Sequence, residues 1–113
     1  MGYCVVFVTA PKGKESGFLA QILLESRLCA CVNIIKSIDS FFWWQSKIDK
    51  AQESLLIIKT KRSLLKRLVK VIKEKHSYRV CEVIAFPIIA GNKAYLDWIE
   101  AECCSRKGKG RQV

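Results

Sequence analysis

The chain has 113 residues, of which half are hydrophobic, and a formal net charge of +10. This length suits one domain with one core, and the hydrophobic content excludes a disordered chain. No apolar run approaches the roughly 18 residues of a membrane span, and the first residues lack the basic leader of a signal peptide, so we expect a cytoplasmic protein with no membrane partner.

The first half of the chain predicts a strand, a helix and a second strand. Residues 3–9 form an apolar, β-branched run that ends at a turn containing proline and glycine. Apolar residues at helical spacing then predict an amphipathic helix over residues 15–28. The second strand is predicted over residues 31–45, and it ends in the sequence SFFWWQ.

The second half predicts two strands and two helices. The third strand covers residues 48–60, and Ser63 is the predicted N-cap of the next helix. The fourth strand is predicted over residues 81–89 and a short last helix over residues 92–104. The helix after Ser63 has one apolar stripe, and its remaining surface is basic: Lys66, Arg67, Lys70, Lys73 and Lys75.

The order of these elements predicts an α+β fold. A β-α-β-β-α-β chain with an extra C-terminal helix is typical of a ferredoxin-like sandwich, in which both long helices cover one face of an antiparallel sheet. We expect one domain over residues 1–104. Residues 105–113 are expected to form a flexible basic tail, since they contain four basic residues and no acid.

The four consecutive aromatic residues at positions 41–44 would place rings on both faces of a strand, because neighbouring side chains point to opposite faces. The predicted helices cover only one face of the sheet, so the other face would form a large exposed apolar patch. Such patches usually mark an interaction surface, and we therefore expect an oligomer. The alternative is that the terminal helix and the following loop cover the aromatics within one chain.

Six cysteines raise the question of disulfides or zinc. Without a secretory signal, reduced thiols that pack as small apolar groups are the better interpretation. Cys29 and Cys31 are separated by one residue, and no second pair stands at a zinc-finger or zinc-ribbon spacing.

Several motifs together resemble the CutA family, whose members are linked to divalent-cation tolerance. The resemblance covers about residues 3–100 and is carried by VTAP at 8–11, CVNI at 31–34, SFFWWQSKIDKAQE at 40–53, IIKT at 57–60, HSYRVCEVIAFPI at 76–88 and YLDWI at 95–99.

This resemblance implies a homotrimer of ferredoxin-like subunits, built as in the P-II signalling proteins, with extended hairpins that grip neighbouring subunits. It implies no enzymatic activity. The aromatics Phe42, Trp43, Trp44 and Trp98 would then belong to the core and the trimer interface.

The resemblance also suggests copper(II) or another divalent cation as a ligand. His76 falls on the family's histidine, but Lys75 and Val8 stand where copper-binding members can carry a second histidine and a cysteine. Cys81 is a further candidate ligand, although a strand cysteine more commonly packs in the interior. The alternative for His76 is a structural role at the end of the second helix.

A small-ligand site in the clefts between subunits is the other candidate site. By the resemblance, Lys59, His76, Tyr78 and Glu82 would lie near these clefts, as they would in a P-II-like regulator that binds a small ligand or a partner protein. The alternative is that the same residues form salt bridges and hydrogen bonds that hold the trimer.

Catalysis and nucleic-acid recognition have weaker signals. None of the common hydrolase, zinc-protease or nucleotide-binding motifs is present. Glu53 and Glu82 are candidate acids, and Cys31 with His76 is a candidate thiolate–imidazole pair, but no spacing supports either. RNA-recognition domains share this element order, yet the third strand has no ring for stacking a base, which leaves only weak, salt-sensitive binding through the basic helix and tail.

Overall fold

The computed structural model describes residues 2–103 and confirms the predicted α+β fold. In chain order the elements are β1 Tyr3–Pro11, α1 Glu15–Glu25, β2 Cys31–Trp44, β3 Lys47–Lys61, α2 Leu65–Lys75, β4 Val83–Pro87 and α3 Lys93–Glu102. The strands form one antiparallel sheet in the order β2-β3-β1-β4. The predicted basic tail lies outside the described residues. None of the helices within residues 2–103 is long and apolar enough to cross a membrane.

The core lies between one face of the sheet and the two long helices. Alternate residues of β1 and β3 point to this face, and Val6, Val8, Leu56 and Ile58 are fully buried there. The helices cover them with the buried side chains of Leu19, Leu23, Leu68 and Ile72. The prediction that both long helices share one face is therefore confirmed.

The first helix ends three residues earlier than predicted. Helix α1 stops at Glu25 because Arg27 adopts a left-handed backbone conformation with φ of 57°. The turn is closed by a hydrogen bond from the Leu28 backbone N–H to the Leu23 carbonyl. The Arg27 guanidinium also binds the Glu102 carboxylate at 2.7 Å, so a contact distant in sequence supports this conformation.

Three other predicted boundaries were also wrong. Ser63 lies within a 3-10 turn, Arg62–Leu64, and the residue that precedes α2 is Leu64. Strand β4 pairs with β1 only from Val83 to Pro87. At the Val83 end, the carbonyl of Thr9, just beyond the last residue of β1 that pairs with β4, is bound by His76. The last helix ends at Glu102 and not at residue 104.

Strands β2 and β3 continue beyond the core as a long hairpin. A register shift between Ile35 and Ile38 marks where the hairpin leaves the helix-covered sheet. Its two-residue turn, Gln45 and Ser46, has φ values of 50° and 65°, as a type I′ turn requires. The aromatic residues 41–44 are all exposed on this hairpin.

The exposed hairpin contradicts the alternative in which the terminal helix covers the aromatics. Helix α3 instead packs through Ile99 against Leu64 in a second, smaller cluster that also contains Tyr3 and Trp98. Trp98 is thus partly buried beside Tyr95, at a ring distance of 5.4 Å, whereas Trp43 and Trp44 remain 72% and 60% exposed.

The face of the sheet that points away from α1 and α2 is apolar, and we call it the open face. Cross-strand pairing places Phe7 beside Ile84 and Val5 beside Phe86, and the Phe7 and Phe86 rings lie 5.1 Å apart. Its full set of apolar residues is Val5, Phe7, Ile35, Leu55, Ile57, Ile84 and Phe86. Ile35, Ile84 and Phe86 are each nearly half exposed (46%, 46% and 45%), so one chain leaves this face largely uncovered.

Candidate functional site

A buried polar cluster forms where four segments of the chain meet, and we call it the His76 cluster. It consists of Glu15 at the start of α1, Glu53 at the base of the hairpin, His76 at the end of α2, Tyr78 in the following loop, and the backbone carbonyl of Thr9. These segments are the start of α1, the end of α2 with its following loop, and the strands β1 and β3. The cluster therefore ties the loop before β4 to the rest of the domain.

The His76 imidazole is buried, and both of its nitrogens have hydrogen-bond partners. Its Nε2 atom lies 2.7 Å from the Thr9 carbonyl oxygen, and its Nδ1 atom lies 2.9 Å from the Tyr78 backbone nitrogen. A carbonyl only accepts and a backbone N–H only donates. The pattern assigns the neutral tautomer with the proton on Nε2, which donates to Thr9, while Nδ1 accepts from Tyr78.

Glu15 lies on the other side of the same loop. Its carboxylate accepts a hydrogen bond of 2.9 Å from the Ser77 backbone N–H, and one of its oxygens lies 3.3 Å from His76 Nδ1. Burial pushes the pKa of Glu15 upward, but the hydrogen bonding from Ser77 outweighs it, so the pKa is lower than usual. This stabilisation is present above the ordinary glutamate pKa and is lost as the pH falls through the lowered pKa.

Tyr78 connects the cluster to the base of the hairpin. Its hydroxyl donates to the Glu53 carboxylate at 3.0 Å, and its ring lies 4.8 Å from the His76 ring. Burial, followed by the hydrogen bond and the negative charge of Glu53, raises the pKa of Tyr78 to about 12. The phenol is thus held in its protonated, donating form.

A pH titration should reveal this arrangement. Because the folded-state pKa of Tyr78 exceeds its unfolded value, its contribution to stability is full below about pH 10 and is lost as the pH rises through about 12. We expect Glu53→Gln to lower the pKa of Tyr78, since the charge that opposes the phenolate is removed. Ultraviolet absorbance of the phenolates measures this, and Tyr78→Phe identifies the transition. An unchanged titration in Glu53→Gln would contradict the arrangement.

The other predicted cleft residues do not all join His76 and Tyr78 within one chain. Lys59 pairs with Val5 and Cys31 in the sheet, and its ammonium donates to Asn33 on the open face. His76 binds the backbone carbonyl of Thr9. Thr9 lies four residues after Val5 along β1, which is a distance of about 13 Å at the rise of a strand. The same separation keeps Cys31 away from His76, so no thiolate–imidazole pair forms within the chain.

The two candidate acids occupy different environments. Glu53 is buried and accepts from Tyr78, whereas Glu82 is exposed, just before β4. Because Val83 pairs with Val8, Glu82 lies at the same end of the sheet as His76. Glu82 is therefore the predicted cleft residue that the fold leaves most accessible to a ligand.

The residues of one chain do not fit a copper site centred on His76. Metal ligation needs an imidazole lone pair, but Nδ1 accepts from Tyr78 and Nε2 carries the proton given to Thr9. The thiol-bearing Cys81 packs against the main core. Within residues 2–103, no group of three or more histidine, cysteine and acidic side chains could hold a metal ion.

None of the five cysteines in residues 2–103 forms a disulfide. Apart from Cys81, they are either buried in the interior or, in the case of Cys31, partly exposed on the sheet. Burial raises the pKa of the Cys29 thiol to about 12, so at neutral pH it is not a reactive thiolate.

Sequence reasoning placed His76 and Tyr78 in one candidate cleft and named Glu53 apart from them as a candidate acid, but it missed Glu15 and the contacts that join these residues. An acidic residue in the first turn of a helix is a favourable charge at the helix dipole, and that was the only local signal for Glu15. Its contact with Ser77 joins residues 62 positions apart.

A comparison with protein families matches residues 4–102 to the model described as CutA1 divalent ion tolerance protein. The rice relative named Protein CutA 1, chloroplastic (Oryza sativa subsp. japonica) is 46% identical over 96 residues, which are 85% of this chain and 54% of that protein. The Divalent-cation tolerance protein CutA of Thermus thermophilus is 40% identical over 95 residues, 84% of this chain and 92% of that protein.

Protein CutA of Homo sapiens is 43% identical over 93 residues, 82% of this chain and 52% of that protein. The chain therefore spans about half the length of the plant and human relatives and most of the length of the bacterial one. These names describe tolerance proteins or give only the family name, and none of them states an enzymatic activity.

Solved structures show the same fold. The crystal structure of CutA1 from Oryza sativa superposes with a TM-score of 0.89 at 43% identity and covers 91% of this chain and 94% of that one. The structure of the Periplasmic divalent cation tolerance protein CutA from Archaeoglobus fulgidus gives a TM-score of 0.86 at 40% identity, with coverage of 88% and 97%. The names of these relatives refer to different compartments, chloroplast and periplasm.

Proposed function

Because this chain belongs to the CutA1 divalent ion tolerance family, we propose that it acts in divalent-cation tolerance as a homotrimer with no enzymatic activity of its own. We further propose that residues 1–104 form the assembling domain. A reducing compartment such as the cytoplasm suits cysteines that form no disulfide within residues 2–103.

The open face carries the proposal of assembly. It has seven apolar residues, and the two rings of Phe7 and Phe86 lie at its β4 side. Burying this face against a second sheet would remove it from water at a gain of about 25 cal/mol per Å² of apolar area. A chain with this surface is expected to associate with copies of itself, and the trimer is the assembly that the family resemblance implies.

The hairpin supports the same proposal. Its exposed rings lie on both faces, with Phe41 and Trp43 on one face and Phe42 and Trp44 on the other. An isolated two-stranded hairpin is at best marginally stable in water, and rings exposed on both of its faces do not stabilise it by burial. In the proposed trimer the hairpin lies against a neighbouring subunit, and Trp43 and Trp44 fill part of that interface.

Copper(II) binding is a separate part of the proposal, and His76 is not its centre. The imidazole would have to give up its bond to Thr9 or to Tyr78 before it could bind a cation. We propose that any divalent cation binds at a site completed by a neighbouring subunit, with the accessible carboxylate of Glu82 as the candidate ligand of this chain. Tolerance would then depend on assembly.

Complementation of a bacterial strain that lacks its own family member tests this proposal. The full chain is expected to restore growth at copper concentrations that inhibit the deletion strain. A variant that folds but does not assemble, Phe86→Glu, should fail, and Phe18→Glu, which changes an exposed phenylalanine on the outer side of α1, should succeed. Full rescue by Phe86→Glu would separate tolerance from assembly and overturn the proposal.

A P-II-like regulator is the second candidate, and Lys59 is the observation that favours it. Its ammonium lies in the same part of the open face as the apolar residues Val5 and Phe86 and binds the side chain of Asn33. In an assembled protein this group would line a cleft between subunits, where it could meet a small anion or an acidic group of a partner protein. Binding of an anionic metabolite that is lost in Lys59→Gln would favour this candidate.

A further inference from the structure

Helix α2 carries a row of lysines on the side that faces away from the sheet, and we call it the α2 ridge: Lys66, Lys70 and Lys73. All three are exposed, and their spacing of four and three residues places them on one side of the helix. None of them forms a salt bridge with a carboxylate of residues 2–103. Three positive charges thus stand together, and the nearby carboxylate of Glu74 is not paired with any of them within the described residues.

The geometry of the ridge is linear. From Lys66 to Lys73 the helix rises about 10 Å at 1.5 Å per residue. A shallow surface groove follows this row and is also lined by Val69 and Glu74. The ridge therefore presents a line of cations spaced a few ångströms apart, which matches a linear polyanion better than a single small anion.

We propose that the α2 ridge binds the phosphate backbone of nucleic acid without regard to sequence. Lysines contact phosphates as point charges, and such contacts supply affinity and no base recognition. The groove is lined by no aromatic residue, so no base is stacked there. This binding differs from that of an RNA-recognition domain, which uses rings on its sheet.

An anionic membrane is the less favourable partner for this surface. Membrane-surface helices insert an apolar face among the lipids, but the apolar side of α2, with Leu68 and Ile72, is fully buried against the sheet. Only the three lysines of the ridge could contact a bilayer. They form a single row, whereas a flat anionic surface is contacted best by a broad basic patch.

The α2 ridge stays accessible when the open face is covered. Helix α2 packs on the other face of the sheet, and the lysines point further outward. Nucleic-acid binding by the ridge is thus independent of the proposed role in cation tolerance, and either could hold without the other.

Fluorescence anisotropy with a labelled random-sequence DNA duplex tests the proposal on the full chain. The test variant is Lys66→Gln/Lys70→Gln/Lys73→Gln, and the matched control is Lys12→Gln/Lys14→Gln/Lys36→Gln, which removes three exposed lysines elsewhere. Both variants have the same net charge. Binding is measured as salt is raised from about 50 to 200 mM, and circular dichroism checks that each variant is folded.

We expect the ridge variant to bind at least about tenfold more weakly than the control at low salt. Losing three phosphate contacts should also reduce the slope of log affinity against log salt by about 2.7. Equal losses in the two triple variants would show that net charge alone drives binding and would overturn the proposal. No binding by the unchanged chain, or binding only to vesicles that contain anionic lipid, would overturn it as well. Lys70→Glu alone serves as a second ridge variant.

Discussion

Replacing Phe86 with glutamate is expected to convert the proposed trimer into monomers. Phe86 lies on the open face beside Phe7 and is 45% exposed in the single chain. Fully burying such a side chain contributes about 1.5–3 kcal/mol, of which assembly would add the part still exposed, and a glutamate in its place would have to be desolvated without a partner. Because every subunit carries the change, the penalty recurs at each interface, and size-exclusion chromatography with light scattering should show a single chain.

The control for this experiment is Phe18→Glu. Phe18 is 55% exposed on α1, on the opposite side of the molecule from the open face. If the added charge alone determined the oligomeric state, the Phe86→Glu and Phe18→Glu variants would have the same mass in solution. An unchanged mass for a folded Phe86→Glu protein would mean that the open face is not the interface.

Replacing His76 with alanine is expected to destabilise the folded chain by about 2–4 kcal/mol. The change leaves the Thr9 carbonyl and the Tyr78 N–H without their partner, and an unsatisfied buried group costs about 1–3 kcal/mol. It also opens a cavity next to the Tyr78 ring. Urea unfolding measures the free energy of unfolding of both proteins under the same assembly conditions.

Two results would distinguish a structural histidine from a metal ligand. Nitrogen NMR of the imidazole should show the proton on Nε2 and not on Nδ1, and adding one equivalent of diamagnetic zinc(II) should leave the chemical shifts of both ring nitrogens in place. A change in the ring-nitrogen shifts typical of metal ligation, or a His76→Ala protein as stable as the parent, would contradict the hydrogen-bonded role assigned to His76.

Much of the fold could be predicted from short-range patterns. Alternating apolar residues in β1 and β3 and the apolar stripe of α2 specify which faces meet, and the element order then leaves few topologies. The aromatic run indicated a surface that the chain itself does not cover, because no predicted helix remained to cover the second face of the sheet. The hairpin and the open face agree with that reasoning.

The features that the sequence did not predict depend on contacts between residues that are distant in sequence. The end of α1 is set at Arg27, whose guanidinium reaches Glu102, 75 residues away. The His76 cluster likewise joins Thr9, Glu15 and Glu53 to a loop near residue 77. No local pattern records these pairs, so the sequence predicted His76, Tyr78 and Glu53 but neither Glu15 nor the hydrogen bonds that orient the His76 ring.

The mass of the unmodified protein in solution tests the central claim most directly. Size-exclusion chromatography with multi-angle light scattering should be run on the reduced chain at low micromolar concentration. We predict a mass three times the 12.9 kDa of one chain, unchanged on dilution. A mass of a single chain would contradict the account, because the open face and the aromatic hairpin would then remain exposed to water.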